Sequence, residues 1–322
     1  MALIMTSQEP QIAPNGFHVK GSLLLDAKGN AFIIRGVNHG HAWYVSQLQT
    51  VIPAIAATGA NTVRVVLSTG DRWRGTSANE VAEIIRLLKK HQLIGVLEVH
   101  DCTGFSEQSG SVPQTEAIAY WLRNDIKAVI EGQEAYVIIN IANEPSGNDC
   151  TANQYIVDTK AAIQKLRGGG IAHTLMVDGA NWGQDWANTM CDSAKYLLST
   201  DPQGNILFSV HMYEEYGSEE KVNTYLRKFV SNQLAVIVGE FAMDQGMGKS
   251  VAAAAILKVT VQNGQGYLGW SWKGNSPGLE SLDIARTWDG SELSTWGKLL
   301  IHDENGIKAQ AKTASVFEAV NP

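Results

Sequence analysis

Glu144 and Glu240 each stand at the C-terminal end of a continuous apolar run, Ile138-Ile139-Asn140-Ile141-Ala142 in one case and Val236-Ile237-Val238-Gly239 in the other. If both runs are parallel strands of one sheet, the two carboxyl groups face one mouth. Such a pair, about 5 Å apart, breaks a glycosidic bond with retention: one carboxyl donates a proton to the leaving oxygen and the other attacks the anomeric carbon. The neighbours suggest the roles. Arg64 and the hydroxyl of Tyr213 supply a cation and a donor that would hold Glu240 ionised, while Glu144 keeps a proton and changes from acid to base between two steps. Asn143 is placed to bond a sugar 2-hydroxyl, an interaction that strengthens in an oxocarbenium-like transition state. Adjacent strand residues point to opposite faces, so Asn143 and Glu144 share a pocket only if the backbone distorts ahead of Pro145.

The histidines admit a different chemistry. His39 and His41 at the end of one apolar run, with His100 and His211 at the ends of later ones, resemble the ion-binding set of metal-dependent amidohydrolase barrels. That site also needs a bridging lysine on the fourth strand and an aspartate on the eighth, where this chain has Glu144 and Trp270-Ser271-Trp272. The expectation is therefore no metal and no other cofactor, with His39, His100 and His211 as substrate-binding residues or as buried histidines satisfied by hydrogen bonds. Tryptophan is the second signal. Trp43, Trp73, Trp182, Trp186, Trp270, Trp272 and Trp288 fall on or beside the loops that follow the strands, and flat indoles offer faces to pyranose C–H surfaces. Trp43, Trp182, Trp270 and Trp272 are the expected sugar contacts, whereas Trp121, inside a helix, and Trp296 read as core.

These residues need a frame that brings many strand ends to one side. Eight β-rich runs alternate with amphipathic segments: 32–38, 62–67, 94–100, 137–144, 174–179, 206–213, 234–241 and 267–272, with helices expected over 78–91, 115–131, 152–167, 219–231 and 250–262. Successive run ends are separated by 29, 33, 44, 35, 34, 28 and 31 residues, the length one strand plus one crossover helix requires. Eight such units make a single (β/α)8 barrel of the α/β class, whose active sites lie at the C-terminal strand ends. Ahead of them, 17–25 and 31–34 flank Asp26-Ala27-Lys28-Gly29-Asn30 and read as a β-hairpin closing the bottom, with Gly29 at a positive-φ turn position. Gly168-Gly169-Gly170 marks a helix end. No compositional break divides the chain, so one catalytic domain is expected over 15–322, preceded by a disordered or extraneous segment over 1–14.

Composition closes other routes. The 322 residues are 44% hydrophobic, enough for one barrel core, and acids exceed bases by 32 to 25. No Lys/Arg run is longer than Lys89-Lys90, so nucleic acid is not an expected partner. The apolar runs are strand-length, short of the roughly 18–20 residues that span a bilayer, so neither is a membrane. Met1-Ala2-Leu3-Ile4-Met5 lacks the basic and apolar regions of a secretory leader. Three cysteines allow at most one internal bridge. Cys150 and Cys191 could form it only if their Cα atoms approach within about 7 Å, and no bridge is expected.

Taken in order, Arg35-Gly36-Val37-Asn38-His39, Asn61-Thr62-Val63-Arg64-Val65-Val66-Leu67, Leu97-Glu98-Val99-His100-Asp101, Ile141-Ala142-Asn143-Glu144-Pro145, Asn181-Trp182-Gly183-Gln184-Asp185, His211-Met212-Tyr213, Val238-Gly239-Glu240-Phe241 and Gly269-Trp270-Ser271-Trp272 resemble glycoside hydrolase family 5, and within it the bacterial-type endo-β-1,4-mannanases. The likeness runs from about Phe17 to Ala319. It implies a (β/α)8 fold, retention of configuration, and a sugar subsite of Arg64, His100, Asn143, Glu144, His211, Tyr213, Glu240 and a tryptophan of the eighth strand, for which Trp270 is favoured. It also implies an endo-acting, secreted and monomeric hydrolase of β-mannan, glucomannan or galactomannan, with an endo-β-1,4-glucanase of the same fold as the alternative. Two positions depart from the pattern: Ser146 stands where an aromatic usually follows Asn-Glu-Pro, and Cys102 where a small or hydroxyl residue is common.

Overall fold

Runs apolar on both faces suit a sheet covered on both sides, and eight of them form parallel strands here. The computed structural model describes residues 16–246 and 249–318; the segment expected over 1–14 lies outside them. A two-stranded ribbon, β1 (His18–Lys20) and β2 (Leu23–Leu25), precedes β3 (Arg35–His39), β4 (Thr62–Leu67), β5 (Ile94–Val99), β6 (Val137–Asn140), β7 (Leu175–Asp178), β8 (Ile206–Met212), β9 (Val236–Phe241) and β10 (Gly266–Gly269). Strands β3 to β10 pair in chain order and β10 closes on β3, giving the expected barrel.

Alternation sorts the strand residues into two cores. Outward-facing Val63, Val65, Leu97, Val99, Ile139, Val177, Val210 and Val238 pack against the surrounding helices. Inward-facing Ile94, Val96, Ile138, Met176, Leu207, Ile237 and Leu268 fill the N-terminal end of the barrel, where Phe17, Leu24, Phe32 and Ala314 cover them. The ribbon therefore closes the bottom together with the C-terminal segment. The two are joined where the amide and hydroxyl of Ser315 both donate to Asp26 Oδ2, at 3.0 and 2.6 Å.

The helices follow local signals. Ser77 and Glu80 form a capping box at the start of 78–90, and Ser218 caps 219–231, each cap offering an acceptor to otherwise unpaired first-turn amides. Several expectations need correction: the run expected over 32–38 becomes a strand only from Arg35, and the one over 267–272 ends at Gly269. The ribbon turns at Gly21, with φ of +60°, rather than over 26–30; Asp26 Oδ1 takes the amides of Lys28 and Asn30, and only a single bridge, Leu25 to Ala31, forms beyond. Gly29 does take the positive φ, +82°. The helix expected over 115–131 is two helices, Gln114–Trp121 and Asn124–Ile130, because Arg123 is extended (ψ 136°) while Trp121 is anchored by donating its indole N–H to Ile141 O at 2.8 Å. Strand β6 stops at Asn140 instead of reaching Glu144, with consequences for the site. No helix among the described residues is long and apolar enough to cross a membrane.

Candidate active site

Above the apolar plug the barrel interior turns polar. Asn38, Arg64, Glu98, Asn140, Asp178 and His211, from β3 to β8, are all fully or almost fully buried. A buried guanidinium is tolerated only when its donors find acceptors, and Arg64 has them on every side. Nε donates to Asn140 Oδ1 (2.8 Å), Nη1 to Asn38 Oδ1 (2.9 Å) and Glu240 Oε1 (2.7 Å), and Nη2 to Asn143 Oδ1 (2.6 Å) and Asp178 Oδ2 (3.4 Å). Burial works against its charge, but Glu98, Glu240 and Asp178 outweigh burial and hold the proton more tightly than in water.

Two backbone irregularities turn Glu144 and Glu240 into one mouth. In the β8–β9 ladder Val210 faces Val238 while His211 faces Glu240, so Gly239 is an extra residue. Alternation from inward Ile237 already aims Gly239 inward, and a Cβ there would lie 2.2 Å from Ser209 Oγ; the bulge lets the next residue, Glu240, face inward as well. On the other side, Glu144 adopts φ of +39°, a left-handed conformation that costs a non-glycine residue on the order of 1–3 kcal/mol. Its amide donates to Asp178 Oδ2 at 3.2 Å. This is the distortion that Asn143 and Glu144 needed in order to share a pocket. A carboxylate oxygen of Glu144, one of Glu240 and a ring nitrogen of His211 all lie within 4.8 Å of one another, close to the roughly 5–5.5 Å of a retaining pair.

The surroundings of the two carboxyls differ. Both oxygens of Glu240 accept hydrogen bonds, Oε1 from Arg64 and Oε2 from the Tyr213 hydroxyl at 2.9 Å. Burial pushes the Glu144 carboxyl up from its usual range, and the contact with His211 Nδ1 at 2.7 Å opposes this only in part. Burial would push His211 down, yet Glu240, Asp178 and the bond to Glu144 bring it up to about 10. Asp178 shows the complement: burial would raise it, while His211 and Arg64 hold it down at about 2. Tyr213 is raised by burial first and by Glu240 second, so its phenol keeps its proton and donates. The arrangement offers a carboxyl group held by two donors opposite a carboxyl–imidazole pair joined across 2.7 Å.

The cleft above measures about 400 Å3, and its lining includes His100, Asn143, Glu144, Trp182, Tyr213, Glu240 and Trp270. His100 accepts or donates at Nδ1 to Glu98 Oε1 (2.9 Å) and stacks on Trp270, with centroids 5.6 Å apart. Trp43 stands edge-on to His100 (5.1 Å) and to Trp73 (5.3 Å) beside the cleft. Trp182 is pinned through Nε1 to Glu107. Asn143 gives Oδ1 to Arg64 and one amide hydrogen to Thr103, which leaves its second amide hydrogen without a partner among these bonds.

Five of the expected contacts are not on this wall: Arg64 and His211 are fully buried and act through the two glutamates, Trp43 stands beside it, and Trp272 and His39 are buried elsewhere. Trp272 is fully buried with its indole N–H on Trp288 O, because β10 ends at Gly269 and the chain beyond it no longer keeps Trp272 in phase with Trp270. His39 is fully buried too, its ring 6.2 Å from His41 and neither ring nitrogen partnered among the described residues. The four histidines of the amidohydrolase alternative do not converge: only His211 joins the carboxylate cluster. Cys150 and Cys191 are free thiols, as is Cys102. The site residues not anticipated are Asn38, Glu98, Asn140 and Asp178; their signal was a polar residue at an inward position of an otherwise apolar strand, as in Leu175-Met176-Val177-Asp178.

Residues 25–276 match the cellulase family, glycosyl hydrolase family 5. The chain belongs to that family. It is 48% identical over 305 residues to a mannan endo-1,4-beta-mannosidase of Cellvibrio japonicus, covering 95% of this chain and 70% of that protein. It is 40% identical to one from Salipaludibacillus agaradhaerens, covering 94% of this chain and 96% of the other. A solved β-mannanase from Thermomonospora fusca superposes with a TM-score of 0.90 at 46% identity, over 94% of this chain and 99% of that one. An endoglucanase of Thermobifida fusca, at 18% identity and a TM-score of 0.68 over 90% and 97% of the two chains, shares the fold.

Proposed function

We propose that this chain is an endo-acting, retaining hydrolase of β-1,4-mannosidic bonds in mannan, glucomannan and galactomannan, working by double displacement. The observation that carries the chemistry is the approach of Glu144 and Glu240 to within 4.8 Å with unlike surroundings. In the first step Glu240 attacks the anomeric carbon while Glu144 passes its proton to the leaving oxygen, forming a glycosyl ester on Glu240. In the second, Glu144 takes a proton from water, which attacks the same carbon and releases Glu240. Tyr213 and Arg64 hold the attacking carboxylate, and the free amide hydrogen of Asn143 meets the 2-hydroxyl. Trp270, backed by His100 and Trp43, forms the sugar platform on one side of the cleaved bond, and Trp182 the one beyond Glu144.

Support for mannan over glucan comes from relatives at 40% and 48% identity that carry the mannosidase name. The protein acts as one catalytic domain, a monomer, on polysaccharide outside the cell. Reducing-sugar release from locust bean gum, with a fall in viscosity that outruns it, is expected to exceed release from carboxymethylcellulose by orders of magnitude; the reverse preference makes the chain an endo-β-1,4-glucanase. Azide should rescue Glu240→Ala and give a glycosyl azide of inverted configuration. Rescue with net retention would overturn the assignment of the nucleophile.

A further inference from the structure

Asp178 is fully buried at the end of β7 and faces donors almost entirely. Its Oδ2 lies 3.2 Å from the amide of Glu144, 3.4 Å from Arg64 Nη2 and 3.4 Å from His211 Nε2, and its Oδ1 accepts from Asn140 Nδ2 at 3.1 Å. The charged groups around it come from every neighbouring element: Arg64 of β4, Glu144 after β6 and His211 of β8. Glu98 of β5 and Glu240 of β9 are one step further, 3.8 Å and 2.7 Å from Arg64, with Glu240 also 3.6 Å from His211. The phenol of Tyr155 donates to the Asp178 carbonyl at 2.8 Å.

We propose that Asp178 is the positioning residue of the acid/base, fixing both the left-handed backbone of Glu144 and the proton on His211 Nε2, so that a single proton is shared between His211 Nδ1 and Glu144 Oε1. The inference rests on the reading of Glu144 as the acid/base. His211 Nε2 approaches Asp178 Oδ2 at 3.4 Å without a well-aligned hydrogen bond among the described residues; since an ionised carboxylate is acceptor-only, that contact favours a proton on Nε2 and leaves the nitrogen facing Glu144 to exchange one across 2.7 Å. The same oxygen receives the Glu144 amide, which ties the strained φ of +39° to the carboxylate that sets the imidazole. The logic is that of a carboxylate holding a catalytic imidazole in one tautomer, transferred to an imidazole that serves a glutamic acid. An amide cannot replace it. Every group around the two oxygens is a donor, so Asp178→Asn turns an N–H2 toward one of them and removes the charge that favours the imidazolium.

The test separates the step that needs the acid from the step that does not. For Asp178→Asn, kcat/KM on mannohexaose is expected to fall roughly 10- to 100-fold, while kcat/KM on 2,4-dinitrophenyl β-mannobioside, whose leaving group needs no proton, falls less than about threefold. The basic limb of the mannohexaose pH profile moves to lower pH by about one unit or more, since loss of the Asp178 charge lets the pair release its proton sooner. Equal losses on both substrates with an unmoved basic limb would reduce Asp178 to a structural residue and overturn the proposal. Glu144→Ala run alongside keeps the two readings apart. If it shows the leaving-group contrast and Asp178→Asn does not, the proposal fails; if Glu144→Ala lacks the contrast, the acid/base reading itself fails. Should Asp178→Asn not fold, Asp178→Ser, which keeps an acceptor and drops the charge, carries the same comparison. Independently, the ring nitrogens of His211 in the unaltered enzyme should report a protonated Nε2 by NMR at pH 7, and an unprotonated Nε2 overturns the proposal.

Discussion

Replacing Gly239 by alanine tests the account of how Glu240 is aimed. The new Cβ would lie 2.2 Å from Ser209 Oγ and 3.2 Å from His211 Nε2, and contacts under 3 Å force something to move. Overpacking of this kind costs about 1–3 kcal/mol, and the atoms that yield are the β8–β9 bulge and the imidazole beside the nucleophile. A shift of about 1 Å at a reacting group lowers turnover on the order of 100-fold. Gly239→Ala is therefore expected to lose about two orders of magnitude in kcat on mannohexaose with a modest drop in Tm. Ser209 Oγ is buried without a hydrogen-bond partner among the described residues, so Ser209→Ala alone should leave stability and activity near those of the unaltered chain. In the double variant the closest obstacle is gone, and most of the loss in kcat should return. Full activity in Gly239→Ala would refute the role given to the bulge. A double variant no better than Gly239→Ala would show that the hydroxyl is not what the Cβ meets.

Tyr213→Phe removes the 2.9 Å bond to Glu240; a hydrogen bond to a charged group contributes about 1.5–3 kcal/mol, so kcat/KM should fall roughly 10- to 100-fold with little change in Tm. The two tryptophans of the β10 end should part company: Trp270→Ala impairs hydrolysis and leaves Tm nearly intact, whereas the fully buried Trp272→Ala lowers stability by about 3–5 kcal/mol. Stability should also peak near neutral pH. Burial lowers His39 to about 3 and His173 to about 4, so the unfolded chain binds their protons first and stability drops by a few kcal/mol as pH falls from about 6.5 towards 4. His211, raised to about 10, contributes stability that is complete below about 6.5 and disappears as pH climbs to 10. Urea titrations across pH 4–10 would record both arms, and His39→Leu should make the acid one shallower, leaving the share of His173.

What the sequence disclosed follows from which interactions are local. Strands such as Thr62–Leu67 and helices such as Glu219–Ser231 appear at their expected positions because apolar period and caps are properties of the segment itself. Glu144 and Glu240 could be picked out because a charge at the end of an apolar run is conspicuous. The polar layer beneath them could not be read in the same way: Asp178 and Asn140 interrupt apolar runs singly, and only the inward phase of the strand, visible once the barrel is closed, tells a site residue from a strand terminus. The bulge at Gly239 and the left-handed Glu144 depend on contacts with β8 and with Asp178, partners distant in the chain. Trp272 was misplaced for a related reason. Alternation puts Trp270 and Trp272 in phase, but β10 ends at Gly269 and the chain beyond it no longer follows strand geometry.

The plug at the bottom of the barrel ties the two ends of the described chain together: Phe17 covers the inner apolar layer, Val316 and Phe317 pack on the same cluster, and Ser315 is bonded to Asp26. Both ends thus leave the barrel on the face opposite the cleft. Anything joined to either one, whether a resin, a surface or a second catalyst in a fused biocatalyst, would hold the enzyme by its back, with the groove turned outward to a polymer too large to reach around. Immobilised preparations should consequently keep their rate on intact gum, provided the graft leaves Asp26 and Ser315 in contact.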